Sequence, residues 1–403
     1  MKKKLIIAKM PVNGKEHIAT VLYENGKAVE LYFSDVEKEQ VLGNIYLGHV
    51  TKAAQSGFFV NYDGVHEGFL PVRKTKGAIF KTVKNDPVIK PGDELLVMAD
   101  TEAVKSKLTG LTCELSISGK NLVACSGFAG LKFSAKLGGG DKDRIKEILS
   151  DVKKSVSGFI VRTSSSEASK DELISEAKSL SEKMGNILRY GISRPYGTCL
   201  YKAGEIWIEK IKSMRPYEVE KIVTDIPDIY EEIKKYLDEE QSTETALAGS
   251  LCLYDDKMVS LYRLNSLSAL LDSATCEKVW LRSGASVVIQ QTEAFVCIDV
   301  NSSKASSVKK AAAEEFFKIN CEAAEEIAKQ IRLRQLSGII LIDFINMGSK
   351  ELEERLISEF SAFVKSDPAK VNIIDITPLG IMEVTRRKKS RSLNEQIFCL
   401  TKA

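Results

Sequence analysis

Histidine is scarce in this chain: only His17, His49 and His66 are present among its 403 residues. None falls in the C-terminal half, which rules out a histidine-based zinc site or a histidine general base there. Cysteine occurs eight times, at 113, 125, 199, 252, 276, 297, 321 and 399, but never with C-x-x-C spacing. Several of these lie inside apolar runs, a pattern of buried, reduced thiols in a cytosolic protein rather than of disulfides or zinc. No apolar run approaches the roughly 18 residues that a membrane span requires. The opening MKKKLIIAKMPVNGKEH is basic, yet its apolar stretch from Leu5 to Ala8 is too short for a signal peptide. Low-complexity tracts and internal repeats are also missing. The net charge is only +3, so a nucleic-acid partner has to be argued from local patches.

What is present is a long mixed chain, 44% hydrophobic and 28% charged. At roughly 100–200 residues per domain, two to four folded units are expected. Residues 1–38 read as short strands, KLIIAK and HIATVLYENGKAVELYF, with a hairpin signal at Glu24-Asn25-Gly26-Lys27. Residues 39–118 hold closely spaced strands (NIYLGHVTKAA, GFFVNYDG, HEGFLPV, DELLVMADTEAV, LTCELSIS) punctuated by glycines and Pro91-Gly92, which suggests a small barrel. From 119 to 198 the pattern is α+β: DKDRIKEILSDVKK and SKDELISEAKSLSEKMGNILRY read as helices around a strand, GFIVRTSS. Ser169 and Asp171 suit the start of the second helix, with Glu172 and Glu176 in its early turns. From 199 to about 270, TCLYKAG, a long helix around 217–238 and further short strands follow.

The C-terminal part reads as strand–helix–strand–helix–strand, an α/β layer. KVWLRSGASVVIQQTEAFVCIDV is expected to form a strand pair. One long helix follows, with Phe316, Ile319, Ala323, Ile327 and Ile331 on one stripe and Gly338 past its end. GIILIDFINM reads as a buried strand, KELEERLISEFSAFVKSD as a helix and NIIDITPLGIMEVTR as a further strand.

Two of these apolar strands end on a carboxylate. The run from Ala294 to Ile298 reaches Asp299, with Asn301 two places on, and the run before Asp343 ends 44 positions later. An aspartate at a strand end is often only a turn former. Ligands, however, gather at the carboxyl ends of strands in open α/β sheets. Two hard carboxylates there suit Mg²⁺, which keeps its other positions for water and phosphate. Asn301 shares a face with Asp299 and adds a neutral oxygen. Without histidine, chemistry at this point has to rest on a metal, carboxylates and basic groups, and phosphodiester hydrolysis fits.

Phe59 and Phe69 lie ten residues apart in the barrel segment, with Tyr62 and His66 between them. Such rings either fill the core or, exposed on an OB-type barrel, stack on unpaired bases. In the second case Lys52, Arg73, Lys74 and Lys107 would hold phosphates. Near the C-terminus TRRKKSRS places Arg386, Arg387, Lys388, Lys389 and Arg391 within six positions. This run is either a solvated face or a polyanion contact.

Taken together, these blocks resemble the catalytic half of the ribonuclease E/G family. VLGNIYLGHVTKAAQSGFFVNYDGVHEGFLPV is similar to its S1-type barrel and GFIVRTSS to its 5′-end sensor. QTEAFVCIDVNSSKAS, NCEAAEEIAKQIRLRQLSGIILIDFINM and PLGIMEVTRRKKSRSLNEQI resemble its most distinctive stretches. The resemblance implies a multidomain α+β and α/β fold in four parts. These are a split RNase H-like domain at 1–38 and 199–275, an inserted S1/OB-fold RNA-binding barrel at 39–118, an α+β 5′-sensor region at 119–198 and a DNase I-like catalytic domain at 276–403.

It further implies a cytoplasmic Mg²⁺-dependent endoribonuclease, with Mn²⁺ able to substitute. Such an enzyme cuts AU-rich single-stranded RNA in rRNA or tRNA maturation or mRNA decay, is stimulated by 5′-monophosphate ends, and leaves 5′-phosphate and 3′-hydroxyl ends. Asp299 and Asp343 match the metal-binding aspartates and Asn301 the orienting asparagine. Lys304 stands in the same motif where the family commonly has arginine. Phe59, Phe69 and Lys107 match RNA-gripping residues of the barrel. Gly119, Val123, Arg162 and Thr163 match the 5′-monophosphate pocket, and Lys370 stands where some members place a sensor arginine.

The departures bear on function. Leu108 replaces a glycine, Gln290 an aspartate beside the catalytic strand, and Asn346 another just past Asp343. The family's C-x-x-C link is missing, with Cys399 alone near the chain end. A structural zinc and a zinc-linked tetramer are therefore not expected, whereas a homodimer through the catalytic domain is. The alternative to the enzyme is a non-catalytic RNA-binding protein on the same scaffold. A Mg²⁺ phosphohydrolase acting on small molecules is a further rival, against which the aromatic barrel and the basic run argue.

Overall fold

The structure, a computed structural model, describes residues 2–36, 40–84, 88–103, 108–150, 158–214, 216–239, 249–302 and 309–402. The chain divides into two compact units: Met1–Glu37, Val219–Glu232 and Ser250–Ala403 form the first, Lys38–Glu218 and Ile233–Gly249 the second.

The first unit holds two sheets. One is five-stranded, in the order Leu251–Leu253, Val219–Thr224, Lys3–Val12, Lys15–Glu24, Lys27–Asp35. Its central strand carries Leu5, Ile6, Ile7 and Ala8, all fully buried. Two hairpins are set by the same chemistry. Asn25 and Gly26 take positive φ (49° and 78°), as do Asn13 and Gly14 (51° and 81°), the geometry of two-residue turns whose twist matches the strands. Only the first of these was expected. The segment 217–238 is not one helix: Val219–Thr224 is a strand, and a helix begins only at Pro227 (Pro227–Glu239). The β-branched residues Val219, Ile222, Val223 and Thr224 pair in parallel with the Lys3–Val12 strand, and proline suits the first helical position.

The other sheet is six-stranded, in the order Lys278–Trp280, Ser286–Gln291, Phe295–Asn301, Gly338–Asp343, Ile381–Arg386, Val371–Ile376. KVWLRSGASVVIQQTEAFVCIDV thus contributes three strands rather than two. NIIDITPLGIMEVTR likewise contributes two, turned at Gly380 (φ 85°). The pair Phe295–Asn301 and Gly338–Asp343 is parallel, and the other pairings are antiparallel. The crossover between the parallel strands is the long helix Lys309–Leu333. Ala323, Ile327 and Ile331 of its expected stripe are buried, with Phe316 and Ile319 packed alongside. Two residues after this helix take positive φ: Gln335 (53°), directly past its end, and Gly338 (89°), which opens the next strand. Gln335 holds this conformation by donating its amide to the Arg332 carbonyl at 2.6 Å. The helix Lys350–Val364 adds Leu352, Leu356 and Phe360 to the same core.

The last turn of the long helix is tied to the five-stranded sheet by a buried ionic cluster. The Arg332 guanidinium donates to both Glu24 carboxylate oxygens at 2.9 Å and to Glu30 at 2.7 and 2.9 Å. Tyr32 donates its hydroxyl to the other Glu30 oxygen at 2.9 Å. Burial opposes the charge on Arg332, but its bonds to Glu24 and the two carboxylates outweigh this and hold its pKa above the usual arginine range.

In the second unit, five strands close on themselves. Ile45–Ala54 pairs with Gly57–Asn61, then follow Glu67–Pro71, Thr109–Thr112 and Glu94–Thr101, which returns to Ile45–Ala54. This closed barrel, consistent with an OB/S1-like fold, is filled by Val50, Val60, Leu70, Leu95, Val97 and Leu111. Cys199–Tyr201 extends its sheet. Beside it lies a four-stranded sheet in the order Leu131–Phe133, Gly158–Val161, Leu122–Cys125, Ser116–Ser118. The helix Lys170–Tyr190 covers that sheet. Ser169 caps it in a capping box with Glu172, and Leu173, Ala177, Leu180 and Met184 supply its buried face.

Removing Arg332 would strand the buried Glu30 carboxylate and the largely buried one of Glu24. Arg332→Met is expected to lower unfolding stability by about 3–5 kcal/mol, read from urea denaturation. A variant as stable as the parent would contradict the cluster's role.

Candidate active site

The Asp299 strand alternates strictly. Val296, Ile298 and Val300 face the helices beneath the sheet and are buried, whereas Phe295, Asp299 and Asn301 are exposed on the opposite face. Gly338–Asp343 behaves alike: Ile340 and Ile342 are buried while Ile339 and Asp343 are exposed. The apolar runs are therefore covered on one face only, not on both as their composition suggested. Apolar residues on the second face, such as Phe295 and Ile339, made the strands read as fully buried.

Register brings the two carboxylates together. Asp299 is the direct partner of Asp343 across the parallel pair, one strand spacing of about 4.8 Å apart, with both side chains on the open face. Asn301 donates its amide to Asp299 Oδ2 at 2.7 Å, which fixes that carboxylate and leaves its other oxygen for a ligand. Lys304 lies outside the described residues. Among the described residues no third acidic, histidine or cysteine side chain joins the pair to complete a protein-built metal cage. The donor set of two carboxylates and little else is what Mg²⁺ uses when waters and substrate phosphates fill the remaining positions, so these residues fit that ion.

Two further residues shape this corner. Asn320, fully buried in the long helix, donates to the Ile345 carbonyl at 2.7 Å and accepts from the Ile345 amide at 3.0 Å. It pins the chain two residues past Asp343, a role that only the tertiary packing reveals. Gln290, on the open face beside Cys297, donates to Glu277 at 3.0 Å. Asn346 accepts from the Gly348 amide at 2.8 Å in a local turn.

In the barrel, Phe59 and Phe69 are direct register partners, edge to face with centroids 5.5 Å apart. Both are half-buried on the outer face, while Val60 and Leu70 point inward. A Cβ at Gly57 would come within 2.4 Å of the Leu70 carbonyl oxygen and 2.7 Å of the Phe69 ring, so only glycine fits beside this strand. Lys52 pairs with Phe59 in the same row. Tyr62, in contrast, is buried in the barrel core, and Lys74 is paired with Asp100. Lys107 lies outside the described residues.

Gly119, Val123, Arg162 and Thr163 come together at one end of the four-stranded sheet. Arg162 donates its amide to the Asn121 carbonyl at 2.8 Å, Val123 pairs with Ile160, and Ser164 Oγ donates to the Lys120 carbonyl at 2.9 Å. Thr163 Oγ1 lies 3.2 Å from Ser134 Oγ. The Glu176 carboxylate organises the loop by accepting from the Asn121 and Leu122 amides at 2.9 and 3.1 Å. A Cβ at Gly119 would sit 2.1 Å from that carboxylate, which is why glycine stands there. Arg144 holds the turn after Thr163 by donating to the Ser165, Ser166 and Ala168 carbonyls at 2.8–3.1 Å. Lys370 is exposed and belongs to the other unit.

The basic run is not a continuous anion-binding strip. Arg386 is buried, donating to both Asp367 oxygens at 2.8 and 3.1 Å and to the Leu336 carbonyl at 2.9 Å. The strand alternation that exposes Thr385's face turns Arg386 inward. Lys388 pairs with Glu395 at 2.9 Å and Lys389 donates to the Pro368 carbonyl at 2.7 Å.

A closed barrel consistent with an OB/S1-like fold in one unit, and in the other a carboxylate pair at the ends of parallel strands, define a mixed α+β protein. The sequence model of the Ribonuclease E/G family matches residues 116–389, and the chain belongs to that family. It is 30% identical to Ribonuclease E of Haemophilus influenzae over 409 aligned residues, covering 98% of this chain and 42% of that protein. Identity to Ribonuclease E of Escherichia coli K12 is 28%, over 98% of this chain and 38% of that protein. Identity to Ribonuclease G of Haemophilus influenzae is 26%, over 94% of this chain and 78% of that protein. The chain thus spans about two fifths of the ribonuclease E relatives, 42% and 38%.

Because Phe59 and Phe69 lie outside the barrel core, Phe59→Ala with Phe69→Ala is expected to weaken single-stranded RNA binding by at least about tenfold, with a smaller effect on thermal stability. A large loss of melting temperature with unchanged affinity would return both rings to the core.

Proposed function

We propose that this chain is a Mg²⁺-dependent endoribonuclease of single-stranded RNA that leaves 5′-phosphate and 3′-hydroxyl ends. The observation that carries the reading is the register pairing of Asp299 with Asp343 across parallel strands, with Asn301 bonded to the first. Family membership supports it. Asp299 and Asp343 would hold Mg²⁺, or Mn²⁺ in its place. The bound ion supplies Lewis-acid polarisation of a phosphoryl oxygen and orientation of the attacking water. Asn301 keeps the Asp299 carboxylate in one rotamer, and Asn320 keeps the chain past Asp343 in place. An outer-sphere partner such as Asn301 is worth about 10–100-fold in metal affinity or activity.

The remaining assignments belong to the same reading. Phe59 and Phe69 stack on unpaired bases, and Lys107 contacts phosphate. Arg162 and Thr163 take a 5′-monophosphate, to which a guanidinium and a hydroxyl both donate, with Gly119 and Val123 shaping the pocket. Lys370 stands where some members of the family place a sensor arginine, and an ammonium cannot grip a phosphate in two-pronged fashion; Lys304 belongs to the catalytic motif. The sheet that joins the N-terminal strands to Val219–Thr224 and Leu251–Leu253 supports the RNase H-like part, and the six-stranded sheet with its helices supports the DNase I-like part. AU-rich transcripts of rRNA maturation or mRNA decay are the proposed substrates. The proposed setting is the cytoplasm, and the proposed assembly a homodimer through the catalytic part. Among the described residues no helix is long and apolar enough to cross a membrane.

Incubated with Mg²⁺ and a 5′-monophosphorylated AU-rich oligonucleotide, the protein is expected to cut it. Asp299→Asn and Asp343→Asn each lose more activity than the ~10–100-fold of an outer-sphere change, with unaltered folding. RNA binding by the parent protein without cleavage would instead identify a non-catalytic binder.

A further inference from the structure

The open face of the six-stranded sheet carries a second feature at its edge. Among the described residues the strand Lys278–Trp280 is the outermost of that sheet and pairs only with Ser286–Gln291. Val279 packs against the core beneath the sheet, so Lys278 and Trp280 project to the other side, the side that bears Asp299 and Asp343. Register carries the relation across. Lys278 is level with Val288, Asp299 and Asp343, and Trp280 is level with Ser286 and Asn301. Two strand spacings, about 10 Å, separate the backbone of Trp280 from that of Asn301.

Trp280 is 67% exposed, whereas the only other tryptophan, Trp207, is 5% exposed. Lys278 Nζ lies over the Trp280 ring, 4.0 Å from its centroid. This is a cation–π contact that orients the ring and leaves most of the indole open. So large an apolar surface at an edge adds little to the core beneath. Its chemistry is that of a base-stacking platform with a phosphate contact attached. A three-residue edge strand offers little main-chain ladder for a second protein chain to extend, and the lysine favours a polyanion.

We propose that Trp280 and Lys278 form a subsite for one unpaired nucleotide of the RNA strand held at Asp299 and Asp343. The indole stacks on the base, and the ammonium faces a neighbouring phosphate. The subsite rests on the ribonuclease reading for the identity of its ligand, while its residues lie outside the metal site.

The test is a fluorescence titration of the full chain with a 12-nucleotide single-stranded RNA in EDTA, where cleavage is silent. Because Trp207 is buried, quenching reports on Trp280. Trp280→Ala is expected to weaken binding about tenfold, Trp280→Phe to retain most of the affinity, and Lys278→Gln to reduce the salt dependence by about one ion. With Mg²⁺ present, Trp280→Ala raises KM more than it lowers kcat. Replacing the stacked base by an abasic site removes the difference between Trp280→Ala and the parent. Parental RNA affinity in Trp280→Ala would overturn the proposal. So would a variant that changes only the sedimenting mass of the chain, since the surface would then belong to a second copy. Cleavage separates this proposal from the ribonuclease reading. Trp280-dependent binding without cleavage by the parent refutes that reading alone, and normal cleavage with Trp280-independent binding refutes the subsite alone.

Discussion

The acidic site depends on the register of one parallel strand pair. A β-strand repeats every two residues, so a slip by one position would turn Asp343 into the core and Ile342 out to solvent. What prevents the slip is the apolar row beneath: Val296, Ile298 and Val300 on one strand and Ile340 and Ile342 on the other, all packed on the same helices. The carboxylates meet because the side chains on the reverse of the sheet cannot pack any other way. The long crossover helix enforces this further. It supplies Ile327 and Ile331 to that core, ties its last turn to Glu24 and Glu30 through Arg332, and through Asn320 holds the segment just past Asp343.

With the helices on one side, the other face of the sheet is left to function. Asp299, Asn301 and Asp343 share it with Lys278 and Trp280, so two carboxylates, a neutral amide and an aromatic surface lie on one face. In the second unit the division is similar. The barrel turns Val60 and Leu70 inward and Phe59 and Phe69 outward, while Glu176 and Arg144 spend their hydrogen bonds on loop amides and carbonyls around Arg162 and Thr163. In both places buried or half-buried polar groups hold backbone in shape, while acidic and aromatic side chains remain at the surface.

Much of this was legible in the residues. The Asn25-Gly26 turn, the Ser169 cap, the stripe through Ile327 and the carboxylates at the strand ends all follow from local chemistry. What local chemistry hid was the third dimension. A run such as Phe295 to Ile298 reads as buried on both faces, because an exposed phenylalanine and a buried one look alike in sequence. Val219–Thr224 read as helix because the charged residues among its β-branched ones mimic a helical period, and parallel pairing with the N-terminal strand decided otherwise. The basic cluster at Arg386 read as either a solvated face or a polyanion contact, yet alternation sends Arg386 inward to Asp367. The anchoring roles of Asn320 and Glu176 gave no signal, since each acts on backbone 25 or more residues away in the chain; Glu176 stood out only as an acid in the early turns of its helix.

The proposed reading turns on Asp299 and Asp343 together holding one divalent ion, which would polarise a phosphoryl oxygen of the RNA. Its most direct measurement is the anomalous scattering of Mn²⁺ in crystals of the protein with an uncleavable RNA. The account predicts a single peak about 2.0–2.3 Å from an oxygen of Asp299, an oxygen of Asp343 and a phosphate oxygen of the RNA. A fully occupied Mn²⁺ site elsewhere on the protein, with both carboxylates hydrogen-bonded only to water or to each other's surroundings, would contradict it.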